Sequence, residues 1–158
     1  MMIKTHATYK AHENTFVLLP ARSIHYETIA IEKNQRVHIQ QTPLEIIENT
    51  CLEYWSTYEE QRKVITYHMN FIQKVPIPIC IDRGIYFFPT HSPKSLENCW
   101  ISFPNILKFK DTSTNKPQTT IKFIDGQSIE LNVSTHTITS QMVRTLMIKN
   151  QLENRKNA

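Results

Sequence analysis

The chain has 158 residues, 40% hydrophobic and 20% charged, with a formal net charge of +4 and a pI near 9.0. A single unit of this length buries roughly 70% of the surface its unfolded form exposes, so no disulfide or metal staple is required. No apolar run approaches the ~20 residues that span a bilayer, and the opening MMIKTHATYK lacks the apolar core and small-residue site of a secretion signal, so we expect one cytoplasmic domain over residues 1–158 with no membrane partner.

In chain order, residues 15–20 (TFVLLP), 28–32 (TIAIE) and 36–40 (RVHIQ) are short β-branched runs that read as an antiparallel meander. At TPLEIIENTCLEY the period changes: Thr42 can cap, Pro43 suits the first helical position, and Glu45 completes a capping box. Leu44, Ile47, Cys51 and Tyr54 or Trp55 then repeat at three or four, which predicts a helix over about 43–55. The polar STYEEQRK has room for a second helical turn before β character returns from Val64 to Val133 in VITYHMNFI, IPICI, IYFF, CWISF, ILKFK, TTIKFI and SIELNV. Proline demotes VPIPI to an edge strand or extended connector, and Asp125-Gly126 marks a tight hairpin. In TITSQMVRTLMIKNQLENRK, Met142, Val143, Leu146 and Leu152 fall at helical spacing among Arg144, Lys149, Arg155 and Lys156, an amphipathic C-terminal helix over about 139–155 with a basic outer side. The fold class is α+β: a mainly antiparallel β-sheet or open barrel with one internal and one C-terminal helix. No helix-turn-helix is evident.

Several function classes fall away. With only Gly84 and Gly126 the chain cannot build a Gly-rich phosphate cradle. Cys51, Cys80 and Cys99 are too few and too widely spaced for a disulfide framework or a zinc knuckle; we expect them reduced and buried, and no metal or cofactor. The connector in IYFFPTHSPKSLENCWIS reads as a Pro-stiffened scaffold in which Cys99 packs as a small hydrophobe and His91 faces water. An enzyme combining Asp82, His91 and Cys99 is a rival class, and a protein-interaction module docking through the C-terminal helix is another.

Charge carries the remaining signal. Residues 1–102 hold ten Lys/Arg and ten Asp/Glu, whereas residues 103–158 hold eight against four, so the whole excess lies in the last third. Such polarisation points toward a polyanion. Lys108 and Lys110 alternate with Leu107 and Phe109, which on a strand puts both cations on one face and both apolar groups on the other. Arg144 and Lys149 on the terminal helix, Arg83 beside Gly84, and Lys94 in the Pro-rich connector are further candidates for phosphate contact. Arg62 and Lys63 follow a Ser/Thr/Tyr turn next to Glu59 and Glu60. Trp55 and Trp100 are candidates to wedge or stack against bases, although an aromatic within CWISF reads rather as core. We expect the cations to converge on one contiguous face.

The order TPLEIIENTCLEY, STYEEQRK, IPICIDRGIYFFPT, ENCWIS, LKFK, TTIKFIDGQSIELNVS and QMVRT resembles the ComK family of competence transcription factors of Gram-positive bacteria, from about Thr28 to Gln151. Its most specific parts are Phe88-Pro89-Thr90 followed by Cys99-Trp100-Ile101-Ser102, and Asp125–Leu131 followed by Val143-Arg144-Thr145. The resemblance implies a sequence-selective activator, not an enzyme, that binds paired A/T-rich boxes in double-stranded DNA largely through the minor groove. It implies a homo-oligomer, nucleoid-associated when bound, with RNA polymerase and a proteolytic adaptor as further partners. The adaptor is conditional, because the chain stops at Ala158 without the C-terminal extension that some relatives use for it. The family pattern matches a basic pair to Arg62 and Lys63, which ranks these first for DNA contact. It also has glycines near the places where Trp55 and Gln61 stand here, in a segment one residue shorter, so affinity or box preference is expected to differ if that turn carries DNA contacts.

Overall fold

The computed structural model describes residues 4–156, apart from the side chain of Lys156, so that residue's place in the basic C-terminal stretch lies outside the described residues. The β-branched runs of the first third form the expected meander: β2 (Thr15–Pro20), β3 (Thr28–Glu32) and β4 (Arg36–Ile39) pair antiparallel in succession, after β1 (Thr5–His6), which pairs parallel with β4. The sheet continues through β5 (Ile77–Cys80), β6 (Ile85–Pro89) and β7 (Trp100–Ser102) in the order β1-β4-β3-β2-β7-β6-β5. β5, which carries Pro78, is an edge strand, the position where a missing N–H does least harm. A second sheet of order β10-β9-β8 is built from β8 (Ile106–Asp111), β9 (Thr119–Phe123) and β10 (Ser128–Leu131). Its β9–β10 turn has Gly126 at φ 96, as the Asp-Gly signal requires.

The helix α1 (Pro43–Glu53) starts on the expected capping box: Thr42 Oγ1 accepts from Glu45 N at 3.2 Å, and Glu45 Oε1 accepts from Thr42 N at 3.0 Å. VITYHMNFI, read as a strand, instead supplies the second half of another internal helix, α2 (Tyr58–Met69), through Val64–Met69, with Asn70, Phe71 and Ile72 following outside the helix. The β-branched Val64, Ile65 and Thr66 mislead because the decisive features are local. Thr57 caps the helix by accepting from Glu60 N at 3.1 Å, Asn70 closes it in the left-handed region, and the buried Tyr58 and Ile65 are seven residues apart on one helical face. The third helix, α3 (Thr135–Lys156), begins four residues earlier than expected, where Ser134 Oγ accepts from Thr137 N at 3.1 Å.

Alternation along the strands of the large sheet creates two cores. Leu18, Ala30, Phe87 and Trp100 face α1, α2 and the C-terminal half of α3. Their neighbours Val17, Ile31, Phe88 and Ile101 face the small sheet and the N-terminal half of α3, through Ile121, Phe123, Ile129 and Ile138. The molecule therefore has three layers, helices on sheet on sheet, with α3 passing from one core to the other. Full burial of Trp100 and Phe87 contributes about 1.5–3 kcal/mol each. The N-terminal segment is tied to β3 by Tyr9, whose hydroxyl donates to Glu32 and lies 2.7 Å from Thr15 Oγ1, while His12 Nε2 lies 3.1 Å from Glu32 Oε2.

Candidate nucleic-acid interface

The small sheet offers one face to the core and the other to solvent. Phe109, Ile121 and Ile129 pack inward, so the intervening residues point out. Pairing places Lys108 opposite Lys122, with Ser128 beyond it, and Lys110 opposite Thr120, with Glu130 beyond. Three lysines and one glutamate thus share the outermost face. Directly opposed residues have Cβ atoms about 4.5–5.5 Å apart, and like charges so placed destabilise the sheet. None of the three lysines is in an ion pair among the described residues. A face that keeps unpaired cations at this spacing is complementary to a string of phosphates. One detail departs from the sequence reading: a bulge between Ile106 and Lys108 frees Leu107, which is 57% exposed and not on the buried face. Lys122 is not among the contact residues that the sequence singles out; alternation within TTIKFI already puts it on the polar side, whereas only the register shows it facing Lys108.

The eight predicted contact residues do not gather into one stripe. Lys108 and Lys110 lie on the outer face of the small sheet, and Arg62 and Lys63 on α2, across the large sheet from them. Arg62 Nη2 is 3.0 Å from Glu59 Oε2, Arg83 Nη2 is 3.1 Å from Glu13 Oε1, and Lys149 Nζ is 3.0 Å from Glu153 Oε2. Arg144 is turned inward: its Nη1 donates to the carbonyls of Gln73 and Lys74 at 2.9 and 3.2 Å and to Gln141 Oε1 at 3.0 Å, and its guanidinium sits 4.2 Å from the centre of the Phe71 ring. Burial lowers its pKa from the usual value. It clamps the α2–β5 loop to α3. Lys94 lines a cleft of about 770 Å³ that Arg62 and Lys74 also line, beside Glu48 and Glu59. Burial, with Glu45 and Glu59 nearby, raises the Glu48 carboxyl above its ordinary value.

Two further readings meet the geometry. Asp82 precedes β6 and His91 follows it, so a five-residue strand, about 16 Å at 3.3 Å per residue, separates them. Burial pushes the Cys99 thiol up to about 12, which keeps it protonated at neutral pH. The three residues are not brought together as a catalytic group. The connector is a scaffold as expected: Asn98 Oδ1 accepts from Thr90 N and His91 N at 3.0 and 2.9 Å, and Thr90 Oγ1 accepts from Cys99 N at 3.0 Å. The expectation of no helix-turn-helix needs correction, since α1 and α2 are consecutive helices joined by four residues, 54–57. The first turn of α2 nevertheless carries Glu59 and Glu60, which repel phosphate at the helix end that such motifs direct toward DNA. Trp100 is core as read, but Trp55 is not: it stands 98% exposed in that turn.

The family model described as ComK protein matches residues 6–157. The chain is also 31% identical over 127 residues to the competence transcription factor of Bacillus subtilis strain 168, a match covering 79% of this chain and 64% of that protein. The chain thus spans less than two thirds of that relative's length. No solved structure matches.

Proposed function

This chain belongs to the ComK family, and from that premise we propose that it is a DNA-binding transcriptional activator of competence genes. It recognises paired A/T-rich boxes largely through the minor groove, as a homo-oligomer whose copies engage separate boxes, and it acts in the cytoplasm on the nucleoid with RNA polymerase as a further partner. The observation that carries the reading is the unpaired lysine face of the small sheet, Lys108 opposite Lys122 with Lys110 beside them. Along β8 the two lysines are about 6.8 Å apart, two strand residues at 3.4 Å, the axial length of two base-pair steps. β-sheets serve as readers of either groove, and a narrow A/T minor groove rewards inserted cations. Arg62, Lys63, Arg83 and Lys149 are secondary contacts at most, because three of the four are matched to carboxylates.

Fluorescence anisotropy with an A/T-rich duplex, a G/C-rich duplex and a minor-groove drug as competitor tests the reading. A/T preference, displacement by the drug and a steep salt dependence support it; equal, salt-independent binding to both duplexes refutes it. A second reading, docking of a protein through α3, is favoured by Val143, Leu146 and Met147, which stand about half exposed at i, i+3 and i+4 on that helix. Lys122→Glu separates the two, since it weakens only DNA binding.

A further inference from the structure

The turn between β3 and β4 adjoins the lysine face and carries cations that the sequence reading leaves out. Gln127 ties the two together. Its Nε2 donates to the carbonyls of Glu32 and Lys33 at 2.9 and 3.3 Å, and the next residue, Ser128, stands beside Lys122 in the row Lys108, Lys122, Ser128. Lys33 in the turn and Arg36 at the start of β4 are both exposed, and neither is in an ion pair among the described residues. Strand alternation fixes the side on which Arg36 stands. Its neighbour Val37 packs into the core under the helices, whereas Arg36 is in register with Ile31, which packs against the small sheet. Arg36 therefore projects on the side of the large sheet that carries the small sheet, and the small sheet does not cover it.

The nearest carboxylate in sequence, Glu32, would quench these cations if it shared their surface. It is buried instead, accepting from the Tyr9 hydroxyl and from Gln35 Nε2 at 2.9 Å, with His12 Nε2 at 3.1 Å. The fold thus separates the acid of EKNQR from its two bases. Asp125 in the neighbouring hairpin accepts from Gln127 N and Nε2 at 3.0 and 2.6 Å, so it holds the link in place and pairs with neither cation. Adjacent strands lie about 4.8 Å apart, so Lys122 and the turn, with Ser128 between them, are on the order of 10 Å apart. A minor groove about 6 Å wide has a phosphate rim on each side. Cations on both sides of a gap of this size meet both rims at once.

We propose that Lys33 and Arg36 form a second DNA contact, holding the phosphate rim of the minor groove opposite the rim held by Lys108, Lys110 and Lys122, with Gln127 and Ser128 over the groove between them. Contacts of this kind fix how the protein sits on the duplex. The inference deepens the DNA-binding reading above and rests on it. Anisotropy with a single-box A/T duplex between 50 and 200 mM salt tests it, beside urea unfolding. Lys33→Ala with Arg36→Ala should unfold as the parent does, since neither side chain has an ion pair to lose. It should lower the salt slope by about 1.8 in magnitude, two phosphates at 0.9 each, and weaken binding by about tenfold or more. Lys33→Gln with Arg36→Gln gives the same readout if the alanine variant is unstable. Two further duplexes carry uncharged methylphosphonates in place of the box phosphates of one strand or the other. On one of them the Lys33, Arg36 variant should bind as the parent does, while Lys108→Ala, Lys110→Ala, Lys122→Ala still binds more weakly; on the other the order should reverse. An unchanged slope for the Lys33, Arg36 variant beside a lowered slope for the triple variant overturns the second contact and leaves the lysine face standing. If neutralising one strand silences both variants, the placement on opposite rims is overturned. Unchanged slopes in both variants sink the lysine face and this inference with it.

Discussion

Replacing Lys122 with glutamate should move stability and DNA affinity in opposite directions. In the folded sheet Lys122 stands directly opposite Lys108, and cross-strand charge pairs of this kind are worth roughly 0.2–1 kcal/mol, destabilising when like and stabilising when opposite. Lys108 is exposed and Lys122 half-buried, so solvent screening keeps the gain near the lower part of that range, about 0.5 kcal/mol. At the DNA, the same change removes one cation from a phosphate and adds a repulsion. The slope of log affinity against log salt should fall by about 0.9 in magnitude for each phosphate no longer neutralised, and affinity at fixed salt by at least about tenfold, or ~1.4 kcal/mol. The triple variant Lys108→Ala, Lys110→Ala, Lys122→Ala should lower the slope by about 2.7. Urea unfolding followed through Trp100 fluorescence gives the first quantity, and anisotropy between 50 and 200 mM salt the second. Raised stability with unchanged binding would remove the face from the interface, and lowered stability would contradict the β8–β9 register itself.

Other outcomes follow from particular interactions. Arg144→Ala should cost about 2 kcal/mol, because its charge-assisted hydrogen bonds and its packing on the Phe71 ring disappear, without altering the salt slope of DNA binding; a reduced slope would make it a phosphate contact. Burial alone would raise the Glu32 carboxyl, but hydrogen bonds from Tyr9, Gln35 and His12 outweigh it and hold the pKa below its usual 4.5. Its contribution to stability is therefore complete above the unfolded value and lost as pH falls through the folded one. Glu32→Gln should flatten the acid limb of a stability-versus-pH curve below about pH 4.5, and an unchanged limb would show that the cluster does not couple to folding. Burial pushes the thiols of Cys51 and Cys99 up to about 12, so a thiol reagent at neutral pH should reach the half-buried Cys80 first and the other two only in denaturant; rapid labelling of Cys99 would contradict its burial.

Much of the architecture was legible along the chain because it depends on neighbours in sequence. Thr42, Pro43 and Glu45 fix a helix start within four residues and Asp125-Gly126 fixes a hairpin, whereas the assignment of Leu18 and Trp100 to one core and Val17 and Ile101 to another is hidden in uniformly apolar runs and is set by what packs on each face of the sheet. VITYHMNFI failed the same test: β-branched content is a weak preference, and the cap at Thr57 together with one buried face outweighed it. Helical spacing leaves Tyr54 and Trp55 open as the last member of the buried stripe; Tyr54 takes that place against the core, while Trp55 lies beyond the helix end in the left-handed region and is exposed.

Sequence alone determined the basic last third, the absence of a glycine phosphate cradle, the α+β class and the ordered motifs of the family, all properties of composition and local pattern. Tertiary structure alone decided which cations remain available. Register set Lys122 against Lys108, while folding brought Glu13 to Arg83 across 70 positions and turned Arg144 onto the carbonyls of a distant loop. A charge acts through its distance in space, and that distance is fixed only when strands pair and layers pack.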